Sequence, residues 1–177
     1  WFSGVSAMKE VTIGDGVTSV VASAFNGCTG LEKVCINDLV AWCGIDFGSA
    51  EANPLYYAKN LHLNDELLRE LVIPDDVTAI KNHAFLGCTG LTSVTIPNSV
   101  TSVGDDAFTG CTNVEKLYLD CAEVGDWFSG VSAMKEVTIG NGVTSVVASA
   151  FNGCTGLEKV CINDLAVWCG IDFADEY

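Results

Sequence analysis

The sequence has few basic residues, two histidines, three prolines and no long apolar run. Eight lysines and arginines stand against 23 acidic residues in a chain of 177, which gives a net charge of −15. A surface this acidic repels phosphate backbones and anionic lipid headgroups. No apolar stretch approaches the roughly 18 residues that a membrane-spanning helix needs. Nucleic-acid binding and membrane insertion are therefore not expected.

The motifs of common catalytic and metal sites are also missing. Only His62 and His83 are available as imidazole ligands, and the nine cysteines form no Cys-x-x-Cys pair, so a zinc site is not indicated. No phosphate-binding loop of the Walker type occurs. Two histidines among many serines do not define a catalytic triad without geometry. We predict no catalytic residue, no metal and no cofactor.

The chain does contain a 23-residue unit that is repeated several times. Residues 68–90 and 91–113 place apolar residues in the same register, and residues 8–30 and 134–156 repeat the pattern. Each unit begins with an alternating Val-x-Ile strand, continues through a turn and ends in Ala-Phe-x-Gly-Cys. A single unit has one apolar face, which only a neighbouring unit can bury. We expect a mainly β repeat solenoid of the leucine-rich-repeat kind, with short strands stacked in one parallel sheet.

Two segments depart from the regular unit. Residues 114–133 form a shorter unit of 20 residues, in which Trp127 and Phe128 stand where the regular unit has Ala-Phe. Residues 31–67 are longer, and they predict an irregular insert and a β-hairpin at about 40–70, with its turn at Asn64-Asp65.

A larger repeat overlies the short one. Residues 1–47 recur as residues 127–173 and differ at three positions only. We interpret residues 1–177 as a single solenoid domain cut from a longer array. Such a cut would leave apolar ends that include Trp1 and Phe2, so end-to-end self-association is expected.

The repeat also predicts where the cysteines and phenylalanines lie in the fold. Four cysteines share one repeat position and are predicted to be buried, unpaired thiols: Cys28, Cys88, Cys111 and Cys154. The sequence leaves open whether Cys35 and Cys43 form a disulfide. The phenylalanines of the Ala-Phe motif should form one ladder through the core: Phe25, Phe85, Phe108 and Phe151.

The candidate binding surface is the exposed side of the strands. In Val-x-Ile the two apolar residues point inward, so the residue between them and the one before them point outward. The candidates are Glu10, Thr12, Lys33, Cys35, Glu70, Val72, Ser93, Thr95, Lys116, Tyr118, Glu136, Thr138, Lys159 and Cys161. A solvated sheet without a ligand is the alternative.

The repeat resembles the BspA-like, or Treponema-type, leucine-rich repeats of bacterial surface proteins. The resemblance rests on Leu-x-x-Val-x-Ile-Pro-x-x-Val, followed by Ala-Phe-x-Gly-Cys-Thr, over nearly the whole chain. It implies a location outside the cell or on its surface, and a non-enzymatic module that adheres to a protein or glycan on host or neighbouring cells. It carries no catalytic residues across, because the motif is a packing motif. The alternative is a structural spacer or self-assembling segment with no ligand of its own.

Overall fold

The computed structural model describes residues 2–174, and Trp1 lies outside them. The described chain winds through sixteen short strands, three short helices and one 3-10 turn. In chain order these are β1 (Glu10–Thr12), β2 (Ser19–Val20), β3 (Lys33–Ile36), α1 (Leu39–Cys43), β4 (Asp46–Phe47), the 3-10 turn (Ala50–Ala52), α2 (Leu55–Ala58), β5 (Leu61–Leu63), β6 (Glu66–Leu67), β7 (Glu70–Val72), β8 (Ala79–Ile80), β9 (Ser93–Ile96), β10 (Ser102–Val103), β11 (Lys116–Leu119), β12 (Glu123–Val124), β13 (Glu136–Ile139), β14 (Ser145–Val146), β15 (Lys159–Ile162), α3 (Leu165–Cys169) and β16 (Asp172–Phe173).

The Val-x-Ile strands stack in parallel, as the repeat predicts. They form two sheets rather than one, in the orders β1-β3-β5-β6 and β7-β9-β11-β13-β15. The break falls at the predicted hairpin, where β6 runs antiparallel to β5. Asn64 and Asp65 have φ values of 52° and 67°, the left-handed conformation that a tight two-residue hairpin turn requires. We call the outward side of these two sheets the strand face.

The two-residue strands form a second face of the solenoid, also by parallel pairing. They group as β2-β4, β8-β10 and β12-β14-β16. No hydrogen bond joins β10 to β12 within residues 2–174. The second face is therefore interrupted at the 20-residue unit, although β9 and β11 pair without interruption on the strand face.

The phenylalanines stack in two groups instead of one ladder. Phe85, Phe108 and Phe128 stack with ring-centroid distances of 5.3 and 4.9 Å, and Phe25 stacks on Phe2 at 5.5 Å. The prediction of one ladder is wrong. Phe151 joins neither stack among the described residues, and the insert places a smaller residue in the phenylalanine position between Phe25 and Phe85. The Phe25 amide donates to the Glu51 carbonyl just as the Phe85 amide donates to the Ala107 carbonyl, so Ala52 is the counterpart of Phe108.

Consecutive units are also joined by backbone hydrogen bonds at the turns that contain Phe-x-Gly. The Gly87 amide donates to the Thr109 carbonyl at 2.7 Å, and the Gly130 amide donates to the Asn152 carbonyl at the same distance. Both glycines have positive φ, near 69° and 79°, which favours glycine at this position.

Side chains replace these backbone bonds at the insert. The Gly27 amide donates to the Tyr57 hydroxyl at 2.8 Å. The Trp42 indole Nε1 donates to the Ala84 carbonyl at 2.9 Å, and the fully buried Asn53 amide donates to the His83 and Ala84 carbonyls at 2.7 and 3.2 Å. The insert thus keeps buried backbone groups hydrogen-bonded although it breaks the repeat.

The duplicated segments have almost the same sequence but different burial. Phe128 is 2% exposed and its counterpart Phe2 is 48% exposed, while Phe47 is 3% exposed and Phe173 is 47% exposed. The exposed copies lack a neighbouring unit among the described residues. The predicted end-to-end self-association depends on these apolar surfaces and stays a prediction, as does the single-domain interpretation.

We expect Phe128→Ala to lower the free energy of unfolding by about 3–5 kcal/mol, because it removes a buried ring that stacks on Phe108. Phe2→Ala is the matched control, since the sequence around Phe2 is the same and the ring is half exposed. It should cost less than about 1 kcal/mol in the same urea titrations. Equal losses for the two variants would contradict the assignment of the buried aromatic stack.

Tyr57→Phe should lower the free energy of unfolding by about 0.5–1.5 kcal/mol, because the Gly27 amide loses its acceptor. Tyr56→Phe is the control, since the described structure gives the Tyr56 hydroxyl no hydrogen bond and exposes 38% of the residue. Hydrogen exchange of the Gly27 amide should accelerate in the Tyr57 variant alone. Unchanged exchange there would show that the hydroxyl is dispensable.

Candidate functional site

The strand face presents two parallel rows of outward side chains, built by the strand register. In the five-stranded sheet the partners align residue for residue. One row is Glu70, Ser93, Lys116, Glu136 and Lys159, and the other is Val72, Thr95, Tyr118, Thr138 and Cys161. The predicted candidates of this sheet therefore do lie together on one surface.

The remaining candidates lie on the other sheet. Glu10 pairs with Lys33, and Thr12 pairs with Cys35, which in turn lies beside His62 of β5. His62 also lies on the strand face, as the alternation Leu61-His62-Leu63 implies, and it was not among the predicted candidates. The hairpin separates this group from the five-stranded sheet, so the candidates occupy two surfaces.

The row of charged residues is balanced by ion pairs across neighbouring strands. Lys159 Nζ lies 2.7 Å from Glu136 Oε1, and Lys33 Nζ lies 3.7 Å from Glu10 Oε2. The hydrogen bond from the Lys159 ammonium lowers the pKa of the Glu136 carboxyl, and the same bond raises the pKa of Lys159. These pairs are solvent-accessible, so they contribute little to stability. They fix the pattern of charge that a partner would meet.

A thiol adjoins each of these two ion pairs. Cys35 Sγ and Cys161 Sγ each lie 3.4 Å from an oxygen of the neighbouring glutamate. Burial and the Glu10 carboxylate raise the pKa of Cys35. A raised pKa leaves less of the reactive thiolate, so the geometry does not describe a nucleophile.

The second row is uncharged and has an aromatic residue at its centre. Tyr118 is half-buried and lies between Thr95 and Thr138 on the adjacent strands. Val72, at the edge of the same row, is 59% exposed. An amphipathic ring flanked by hydroxyl groups and an exposed aliphatic side chain can bind both apolar and polar groups.

All nine cysteines are free thiols, so the Cys35–Cys43 disulfide left open by the sequence does not form. Cys28, Cys88, Cys111 and Cys154 are buried, which confirms the prediction for the repeat cysteines. Three of these four make equivalent hydrogen bonds, in which the thiol donates to a phenylalanine carbonyl of the preceding unit: Cys28 to Phe2, Cys111 to Phe85 and Cys154 to Phe128.

Within residues 2–174, no group of three or more histidine, cysteine, aspartate or glutamate side chains is placed to hold a metal ion. No helix of that region has the length and apolar character needed to cross a membrane. His83 is a half-buried turn residue with its Nδ1 3.9 Å from the Asp106 carboxylate.

Parallel stacking of near-identical strand units defines a leucine-rich-repeat solenoid. The family model described as "BspA type Leucine rich repeat region" matches residues 1–45 and 58–167 in six copies. The chain belongs to this family. Residues 46–57, which the model leaves unmatched, contain the 3-10 turn and Asn53 of the insert.

Solved structures of bacterial leucine-rich-repeat proteins share the fold. A leucine-rich repeat protein from Bacteroides ovatus aligns over 86% of this chain and 37% of its own, with 27% identity and a TM-score of 0.55. The leucine-rich repeat protein of T. pallidum aligns over 94% of this chain and 74% of its own, with 21% identity and a TM-score of 0.58. No protein of curated function matches the sequence.

The chain thus spans about a third of the B. ovatus protein. It is a leucine-rich-repeat module of the general type that mediates protein interactions.

We expect thiol reagents to modify Cys169 and to spare Cys43, its counterpart in the duplicated segment. Burial raises the pKa of Cys43 to about 12, whereas Cys169 is exposed. At pH 8 the two rates of iodoacetamide labelling should differ by roughly 100-fold or more, because the burial of Cys43 both suppresses its thiolate and limits access of the reagent. Peptide mass spectrometry separates the two sites. Rapid loss of the Cys43 thiol in the native protein would contradict its buried position.

Proposed function

We propose that the protein is a non-enzymatic binding or adhesion module that works outside the cell or on its surface. Its strand face binds a macromolecule, and the binding surface is the five-stranded sheet. The observation that supports this most is the row Val72, Thr95, Tyr118 and Thr138, which is uncharged within a protein of net charge −15. The extracellular location rests on the family resemblance.

The shape of this surface favours an extended partner over a small metabolite. Five strands spaced about 4.8 Å apart span roughly 19 Å, and the side chains lie along an open sheet instead of around a pocket. The neighbouring charged row carries both signs, since Glu70 and Glu136 share it with Lys116 and Lys159. A partner of one charge sign would meet repulsion at some point along it, so a protein surface or an uncharged glycan fits better.

Tyr118 should contribute most to binding, because tyrosine is frequent among residues that dominate interface energy and this one lies at the centre of the row. Binding of the purified protein to immobilised matrix proteins and glycans identifies the ligand first. Tyr118→Ala should then weaken binding roughly tenfold or more.

Tyr56→Ala is the matched control, since Tyr56 is an exposed tyrosine on α2, away from the strands. It should leave the affinity unchanged. Failure of the intact protein to bind any member of a broad panel would favour the spacer alternative instead.

A further inference from the structure

We infer that the solenoid has a second binding site, a cleft on its second face that takes an extended, basic peptide segment of a partner protein. The cleft lies between the turn-and-strand segment 98–110 of one unit and the segment 121–131 of the next. It comprises two adjoining grooves of about 360 and 450 Å³, and Val103 and Trp127 line both. This site is distinct from the strand face and does not depend on the function proposed for it.

The length of the repeat explains why the cleft exists. The unit 114–133 is three residues shorter than the regular 23-residue unit, and the shortage falls on the second face. Its long strand β11 still pairs with β9, and the Phe108 and Phe128 rings still stack at 4.9 Å. The two units therefore stay joined at the strand face and the core, and they separate at the surface of the second face.

The separation leaves backbone groups unpaired on both walls. At the following unit boundary, the Ser145 and Val147 amides donate to the Ala122 and Val124 carbonyls, both at 3.0 Å. By the same register, the Glu123 and Gly125 amides would donate to the carbonyls of Thr101 and Val103. Neither bond forms in the described structure.

These four groups suit one kind of ligand. One wall offers the carbonyls of Thr101 and Val103, and the other offers the amides of Glu123 and Gly125. An extended peptide has both donors and acceptors along its backbone and can pair with both walls as an added strand. An oligosaccharide lacks this regular spacing.

The side chains around the cleft select for positive charge. Asp105, Asp106, Asp126 and Glu123 are exposed there, and among residues 2–174 no lysine or arginine lies within 4 Å of any of their carboxylates. Other acidic side chains, such as Glu115, have lysine partners beside the strand face. Four like charges without a lysine or arginine partner attract a basic ligand.

Trp127 adds a specific contact for a basic side chain. Its indole lies against Gly125, where any Cβ would come within 2.5 Å of the indole Nε1. The glycine therefore lets the ring lie along the cleft. A lysine or arginine side chain over an indole ring gains cation–π attraction in addition to the carboxylate charges.

The test uses a capped heptapeptide of alternating threonine and lysine, with glutamate in place of lysine in the control peptide. The lysine peptide should bind, and the glutamate peptide should not. Asp106→Asn combined with Asp126→Asn should weaken binding of the lysine peptide by about five- to tenfold at low salt. Asparagine accepts the left-handed conformation at position 106, where φ is 54°, so the fold should persist.

The matched control is Asp15→Asn combined with Asp46→Asn, which removes the same charge from exposed positions of the first units. It should weaken binding by less than about twofold. Equal weakening by the two double variants would overturn the site and leave non-specific attraction to an acidic protein. Trp127→Leu should also weaken binding. Trp127 packs partly against the core, so this variant is compared only if its melting curve matches that of the unmutated protein. The exposed aspartate variants provide the main test.

Hydrogen exchange locates the peptide independently of mutation. The Glu123 and Gly125 amides should be protected roughly tenfold or more in the complex. The amides of β9 and β11 should not change. Protection on the strand face instead, or binding of a neutral chitin oligosaccharide in this cleft in preference to the lysine peptide, would overturn the proposal. Because Tyr118→Ala leaves the cleft intact, it should not affect this binding, so the two sites succeed or fail separately.

Discussion

Every unit of the solenoid must hydrogen-bond its backbone to the next unit, and the rest of the structure depends on how each boundary meets this requirement. A buried amide or carbonyl without a partner costs about 1–3 kcal/mol. Regular boundaries meet the requirement with backbone bonds such as Gly87 to Thr109. The insert meets it with Trp42, Asn53 and Tyr57 side chains. The boundary before the 20-residue unit leaves groups exposed to solvent, and a cleft opens there.

The duplicated segment shows that burial belongs to the array and not to the unit. Cys43 and Cys169 follow nearly the same residues, yet one is buried and the other exposed. Phe2 and Phe128 differ in the same way. In a one-dimensional stack the stability of a unit includes the interface with each neighbour. The contribution of a side chain to stability, and the reactivity of a thiol, therefore depend on the unit that covers it.

Local sequence predicted the features that depend on local spacing. The Val-x-Ile alternation gave the strands and their outward rows, and Asn64-Asp65 gave the hairpin. The replacement bonds of the insert were not predictable in this way, because Trp42 and Ala84 lie 42 residues apart. The broken aromatic stack was missed because Ala52 takes the phenylalanine position only once the register of the insert is known. The short length of the 20-residue unit was visible in the sequence. That this shortening leaves β10 and β12 unpaired could be seen only from the register of the strands in the structure.

The two faces differ most in how their charges are compensated. Lysines lie beside the strand face and pair with glutamates there, as Lys159 does with Glu136. The carboxylates around the cleft have no lysine partner in the described chain. A basic partner is attracted to the cleft, whereas the strand face, with its paired charges and central tyrosine, discriminates by shape and hydrogen bonding. One short unit in a regular array is enough to give the solenoid two surfaces with different preferences.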